Sequence, residues 1–334
     1  MSRRYLVTGG TGFLGSSIVK RLVDAGHFVR SLDDNSRGAV RRLGNYLRTV
    51  ELVEADVRNA DAARRAIKGM DTVIHMAFVN GTEFFYSKPE LVLDVAIKGM
   101  LNVLEGCRSE NVGDLIVASS AEVYQSPPVV PTDETAPFSI PDPLNPRYSY
   151  GGGKIINELM AINYGRTGFD RVTIFRPHNV YGPDMGWEHV LPQLIVQMVR
   201  KVKEVGRVES LPIEIQGDGR QTRAFLHVDD FAQGLMCVIN GGQHLNIYHI
   251  GNPEEVTIRD VVDKIAKYFG REVKIIVGEE AAGSTRRRCP DISKLVRLGY
   301  HPRISLEMGL PSIADWYTEH FEEEPSRMVN QVLF

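Results

Sequence analysis

Thr8-Gly9-Gly10-Thr11-Gly12-Phe13-Leu14-Gly15 is the stretch on which the reading of this 334-residue chain turns. It follows a short apolar run, Tyr5 to Thr8. It opens a segment from Phe13 to Ala25 in which Ile18, Val19, Leu22 and Val23 share one helical face before Gly26. A strand that passes through glycines into an amphipathic helix, with another glycine past the helix end, has the outline of a phosphate-binding turn. Gly9 permits the bend, the missing side chain at Gly12 lets a pyrophosphate approach, and Gly15 lets the helix pack closely. The helix N-terminus then offers N–H groups to the anion. A bare turn would have no need of three spaced glycines, which cost helix propensity.

Outward from this turn, short apolar runs at Phe28 to Leu32, Val50 to Val53, Thr72 to His75, Asp114 to Ser119 and Arg171 to Phe175 alternate with longer amphipathic ones. Leu91 to Cys107 is the longest of these, with Leu91, Val95, Met100, Val103 and Leu104 recurring at helical spacing. The alternation predicts an α/β fold, a doubly wound parallel sheet with helices on both faces. Ser126 to Pro146 is rich in proline and reads as a long loop, a kind that is usually functional or mobile. Past Pro177 the pattern is irregular, with helices predicted at Val190 to Lys203, Val228 to Asn240 and Ile258 to Phe269 and a short one ending near Phe321. This describes a smaller C-terminal α/β domain.

The second run ends at Leu32-Asp33-Asp34, about twenty residues past the glycines, where a carboxylate accepts both ribose hydroxyls of an adenosine. A carboxylate there also repels the 2′-phosphate of NADP. The cofactor reading is therefore NAD with Asp33 as ribose ligand, while nearby Arg37 leaves NADP open. Asp56, after the third run, either receives the adenine edge or caps the helix that follows.

Tyr150-Gly151-Gly152-Gly153-Lys154 places a phenol and an ammonium on one helix face, where the cation can depress the phenol pKa and hold the cofactor ribose. The phenolate would take a proton from a substrate hydroxyl. Three glycines in a helix cost on the order of 3 kcal/mol relative to alanine, so something requires close backbone approach there. Ser119 and Ser120 close the fifth run and offer a hydroxyl to the same substrate oxygen, or else cap the strand end.

Composition excludes other classes. Apolar residues are 43% and charged residues 24%, and no apolar stretch approaches the ~18 residues of a membrane helix. The first residues lack the apolar core of a secretory signal, so a cytoplasmic location is expected. Cys107, Cys237 and Cys289 lie far apart, without the spacing of a disulfide framework or a zinc cage, and no metal is expected. A net charge of −3 implies neither nucleic acid nor membrane as partner.

The glycine turn, Asp33, His75-Met76-Ala77, Ser119-Ser120-Ala121-Glu122-Val123-Tyr124, Tyr150 to Lys154 and Arg176-Pro177-His178-Asn179-Val180-Tyr181-Gly182-Pro183 together resemble the extended short-chain dehydrogenases acting on nucleotide sugars. Gly217 to Phe225 and Arg288 to Ile292 resemble that family's downstream substrate motifs. The resemblance runs from residue 5 to about 317. It implies a Rossmann-type NAD-binding domain over residues 1–176 and a substrate domain over 177–334, with about 225–251 packing back on the first. By position, Tyr150 resembles the catalytic base, Lys154 its partner and Ser120 the assisting hydroxyl. Gly9, Gly12, Phe13, Leu14, Gly15, Asp33 and Asp56, with Tyr150 and Lys154, resemble the cofactor-binding set. Asn179, Arg223 and Arg288 resemble residues that bind the sugar nucleotide, an anion for which arginines are suited. Of Arg286 to Arg288, two are expected on a solvated turn. His178 stands where phenylalanine is commoner, and is either a satisfied buried histidine or a determinant of substrate preference.

Two departures affect the expected reaction. Ala96 replaces the usual asparagine, removing a polar contact, and Ala121 replaces the aspartate of many sugar dehydratases while Glu122 keeps their proton acceptor. The resemblance thus implies an NAD-dependent epimerase or dehydratase working through transient oxidation at sugar C4. Decarboxylation of a nucleotide-linked uronic acid is the alternative, since those enzymes also tend to carry this glutamate and the Arg288 motif. A net NADP-dependent reductase is a further rival. A dinucleotide-binding sensor would need the glycine turn but not Ser120, Tyr150 and Lys154 together. The resembling family pairs two long helices per subunit, here Leu91 to Cys107 and Tyr150 to Tyr164, so a homodimer is expected.

Overall fold

The computed structural model describes residues 2–205, 210–279 and 285–325. Six parallel strands, β1 (Arg4–Thr8), β2 (Phe28–Asp33), β3 (Glu51–Glu54), β4 (Thr72–His75), β5 (Asp114–Ala118) and β6 (Arg171–Pro177), build a seven-stranded sheet. The seventh strand is Asn246–Ile250, and the spatial order is β3-β2-β1-β4-β5-β6 and then Asn246–Ile250. Every residue of β4 and β5 is buried, as the central strands of a sheet covered on both faces must be. The alternation in β1 divides the two covers. Tyr5 and Val7 join a core with Ile18, Leu22 and Phe231, while Leu6 joins one with Met100, Leu104 and Ile174.

One cover is helix α1 (Phe13–Asp24) packed with Val228–Gly241, and the other is α2 (Ala60–Ile67), α4 (Pro89–Ser109) and α5 (Tyr148–Gly165). A short helix α3 (Thr82–Ser87) precedes α4. Its six residues carry too little periodicity to announce it in sequence. Helix α4 starts two residues before the expected Leu91, because Pro89 suits the first helical turn, where its missing N–H leaves no orphan donor. Past β6, helices Val190–Val205, Ile258–Tyr268 and Leu306–Glu319 and the parallel pair Ser210–Ile215 and Glu272–Val277 enclose a separate core around Ile195, Leu211, Ile265 and Leu310. The long loop has neither helix nor strand from 126 to 146. It is tied down at Thr132, which takes a backbone bond from Asp291 (2.7 Å) and gives one to Cys289 (2.9 Å). Among the described residues no helix is long and apolar enough to cross a membrane.

The triple glycine in α5 has two distinct causes. A Cβ at Gly151 would lie 2.9 Å from the Glu122 carbonyl oxygen, and one at Gly153 would lie 3.0 Å from the Cβ of Ala96 on α4. Gly152 meets nothing closer than Ile140 at 3.6 Å, so no close approach explains it. Ala96 is fully buried at this helix crossing, so its effect is on packing between α4 and α5 and not on a contact to substrate.

Candidate active site

Strands after β1 are added first on one side, β2 and β3, and then on the other, β4 to β6, so the strand order reverses between β1 and β4, and a crevice opens at the carboxyl ends of these parallel strands. There a cavity of about 640 Å³ is lined at one end by Gly9, Gly12 and Asp33 and at the other by Ser120, Tyr150 and Lys154. Gly9 has φ +73° and its amide donates to Leu32 of β2 (2.8 Å), which turns the chain toward α1. A Cβ at Gly15 would sit 2.0 Å from the Gly9 carbonyl oxygen, so this glycine serves the turn itself more than the sheet. Gly10, which the spacing did not single out, is required equally, since a Cβ there would lie 2.3 Å from Ser31 Oγ. At Gly12, which caps α1, a Cβ would meet only the Gly9 oxygen at 3.1 Å, leaving an open cradle at the helix N-terminus. Phe13, Leu14 and Gly15 line the same wall. This cradle fits a dinucleotide pyrophosphate.

Asp33 closes the far end. Its carboxylate accepts the amides of Thr11 and Asn35, each at 3.0 Å, so the ribose ligand expected from sequence is bound into the glycine turn. Asp56 also lines the cavity, but Arg58 holds its carboxylate at 2.6 Å. Nor does Asp56 cap α2, because Asn59 does so by accepting the Ala62 amide. The arginines near Asp33 are themselves paired: Arg37 pairs with Glu188, and Arg41 and Arg42 reach Asp184 at 2.9 and 3.1 Å. Arg41 and Arg42 share the one Asp184 carboxylate, so these three arginines face two carboxylates, and the charge left over is single and already engaged.

At the chemical end, Tyr150 is packed between Phe78, edge-on at 5.2 Å, and Phe85, stacked at 5.0 Å. Burial pushes its phenol up to about 12, with the Ser120 hydroxyl drawing it down and Glu122 raising it further. The expected depression by Lys154 is not found. The ammonium instead donates to the Ala118 carbonyl (2.8 Å) and lies 3.8 Å from the Phe78 ring centroid. Burial brings Lys154 down to about 7, opposed by Glu158. A lysine with a folded pKa below its ordinary 10.5 binds fewer protons folded than unfolded, so its contribution to stability grows as pH rises from about 7 to 10.5. Lys154→Met should flatten the rise of thermal stability over that window. Parallel Tm profiles for variant and wild type would contradict this burial.

Ser120 also caps a single turn, Ala121–Val123, by accepting the Glu122 amide (3.2 Å). Glu122 receives Arg288 at 2.5 Å. Burial raises the Glu122 carboxyl, but Arg288, with Arg147 and Arg223, more than offsets it and holds the group below the usual carboxylate range. Arg288 and Asn179 line the cavity, whereas Arg223 stands outside its lining and donates to the Thr222 carbonyl. Burial and Arg288 bring Arg223 down to about 10. Arg286 and Arg287 are exposed, the latter paired with Glu255. Arg147, which also lines the cavity, had no motif to announce it. His178 is buried, yet neither ring nitrogen has a hydrogen-bond partner among the described residues, which goes against the first of its two readings, a satisfied buried histidine. It lies edge-on to His249 at 4.5 Å.

Glycine cradle, ribose carboxylate and the Ser120–Tyr150–Lys154 group thus share one cavity, and residues 5–251 match the model of the NAD dependent epimerase/dehydratase family. The chain belongs to that family. It is an NAD-dependent enzyme. UDP-glucuronic acid decarboxylase 1 of Arabidopsis thaliana is 28% identical over 97% of this chain and 72% of its own length. The dTDP-glucose 4,6-dehydratase DesIV of Streptomyces venezuelae, solved as a double mutant with NAD bound, superposes with TM-score 0.83 at 28% identity, covering 96% of this chain and 98% of that one. UDP-glucose 4-epimerase of Thermotoga maritima, solved with UDP-glucose, gives TM-score 0.82 at 26% identity over 95% and 99%.

Proposed function

We propose that this epimerase/dehydratase family member acts on a nucleoside-diphosphate sugar, beginning with oxidation at C4 of the sugar. The carrying observation is the juxtaposition in one cavity of the Tyr150 phenol, backed by Ser120, with the Glu122–Arg288 pair. Residues 1–176, with the helix Val228–Gly241 and the strand Asn246–Ile250 packed back on them, form the cofactor-binding part and the rest of 177–334 the substrate part, with the cavity between them. Bound NAD supplies a hydride acceptor. Gly9, Gly12, Phe13, Leu14, Gly15 and Asp33 would hold it, and Lys154 would leave the Ala118 carbonyl for its ribose. Tyr150 takes the proton of the C4 hydroxyl, and Ser120 orients that oxygen. A ketone at C4 makes the C5 proton acidic, and Glu122 is the base in reach. Arg288 keeps Glu122 a weak base until an anionic substrate draws the guanidinium away, which couples substrate arrival to base strength.

Epimerisation or dehydration comes first. Ala121 leaves dehydration without the usual acid to expel a C6 hydroxyl. A second reading, decarboxylation of a nucleotide-linked uronic acid, is favoured by the three arginines around Glu122, a surplus of positive charge suited to a sugar carboxylate. The decisive experiment is incubation with UDP-, GDP-, CDP- and dTDP-sugars, glucuronate included, read by mass spectrometry and proton NMR. Loss of water marks a dehydratase, loss of carbon dioxide a decarboxylase, and unchanged mass with an altered coupling an epimerase. If all were inert with NAD supplied while a simple alcohol turned over, the proposal would be wrong.

The family's pairing of two long helices extends to this chain. Ile97 on α4 and Ile156 and Leu159 on α5 are exposed, an apolar stripe that a second copy would cover. Light scattering at micromolar concentration should give twice the mass of the 37.3 kDa chain, and a monomer mass would remove the claim.

A further inference from the structure

Tyr150, Lys154 and Glu158 stand four residues apart on α5, on one face of the helix. Each meets one residue at the end of β5. Lys154 binds the Ala118 carbonyl, Glu158 accepts the hydroxyl of Ser119, and Tyr150 is met by the hydroxyl of Ser120. Glu158 is 0% exposed and Ser119 2%. The same carboxylate is gripped from β6 by Arg176, whose Nε and Nη2 lie 2.8 and 2.6 Å from its two oxygens. Arg176 is in turn held by Tyr124, whose hydroxyl meets His249 Nε2 at 2.6 Å.

The last ladder bond of β5 is from the Ser119 amide to Phe175 (2.8 Å), after which the chain leaves the sheet to make the Ala121–Val123 turn. Side-chain tethers therefore decide where Ser120 sits. The Lys154 tether is lost when the ammonium moves to a bound ribose, whereas Glu158 faces no part of the cavity and keeps its bond. We propose that Ser119 and Glu158 are positioning residues, and that their hydrogen bond fixes the end of β5 against α5 so that Ser120 is presented to the Tyr150 phenol. The proposal rests on the reading of Tyr150 as the proton acceptor. The groups that face this phenol are Ser120 and Glu122 from the turn, the rings of Phe78 and Phe85, and Lys154 on its own helix.

Ser119→Ala removes the hydrogen bond and leaves the Glu158–Arg176 pair whole, so it tests the positioning without stranding a buried charge. The full chain loaded with NAD is compared as wild type, Ser119→Ala and Ser119→Thr. Tyrosinate absorbance is titrated against a Tyr150→Phe reference to isolate this phenol. In Ser119→Ala the Tyr150 tyrosinate absorbance at one fixed alkaline pH, below its titration midpoint, should fall about tenfold, and Ser119→Thr should restore it. NADH formation in single turnover, with whichever nucleotide sugar the wild type oxidises, should fall about tenfold in Ser119→Ala while NAD affinity is kept. An unmoved titration and rate in Ser119→Ala would overturn the positioning, as would a shift that threonine does not restore. If the wild type oxidises no nucleotide sugar, the functional reading fails, and the titration still decides the positioning.

Discussion

Tyr150→Phe is expected to lower NADH formation in single turnover by about 10²–10⁴-fold, the range spanned by loss of a positioned proton acceptor. The ring of phenylalanine keeps the packing between Phe78 and Phe85, so the fold and the NAD affinity should be retained. What disappears is the oxygen that takes the C4 proton. The measurement is stopped-flow absorbance of NADH on mixing enzyme, NAD and a competent nucleotide sugar, with NAD affinity determined separately. A rate in the variant within a few-fold of wild type would assign the proton to another group. Because burial raises the wild-type phenol to about 12, the wild-type rate should itself climb with pH through the neutral range, as the rare phenolate becomes commoner. The variant should lack that limb.

Glu158→Gln is expected to destabilise the fold by about 3–5 kcal/mol, because it leaves the Arg176 guanidinium buried without its counter-charge. Arg176 is 1% exposed, and its remaining partners are a phenol and a carbonyl, so solvent does not compensate. Thermal unfolding should register a fall in Tm on the order of ten degrees. The double variant Glu158→Gln with Arg176→Met removes both members of the pair and should recover most of the loss. A single variant that melts within a degree or two of wild type would mean that the guanidinium finds water or another acceptor.

Much of the sheet was legible because its signal is local. Thr72 to His75 is a strand in sequence and in structure, since the β-branched run Thr72-Val73-Ile74 after the polar Asp71 suits a strand buried on both faces. Helix α1 was equally legible from its apolar spacing and its terminal glycine. The short α3 was not, for six residues complete too few turns to display a period. The triple glycine promised a close backbone approach, but only the fold assigned it to Gly151 and Gly153 and named the partners as Glu122 and Ala96.

The sequence by itself determined which groups the chemistry needs and roughly where they lie, because glycines before a helix, a carboxylate at the end of the second strand, and a tyrosine four residues before a lysine are fixed by short-range geometry. The tertiary structure decided how those groups are charged and held. Glu122 and Arg288 are 166 residues apart yet share a hydrogen bond, Asp56 is occupied by Arg58, and Arg37 is neutralised by Glu188. Lys154 turns to the Ala118 carbonyl instead of the phenol. Burial and ion pairing depend on which distant segments are brought within a few ångströms, and the local pattern of residues does not contain that information.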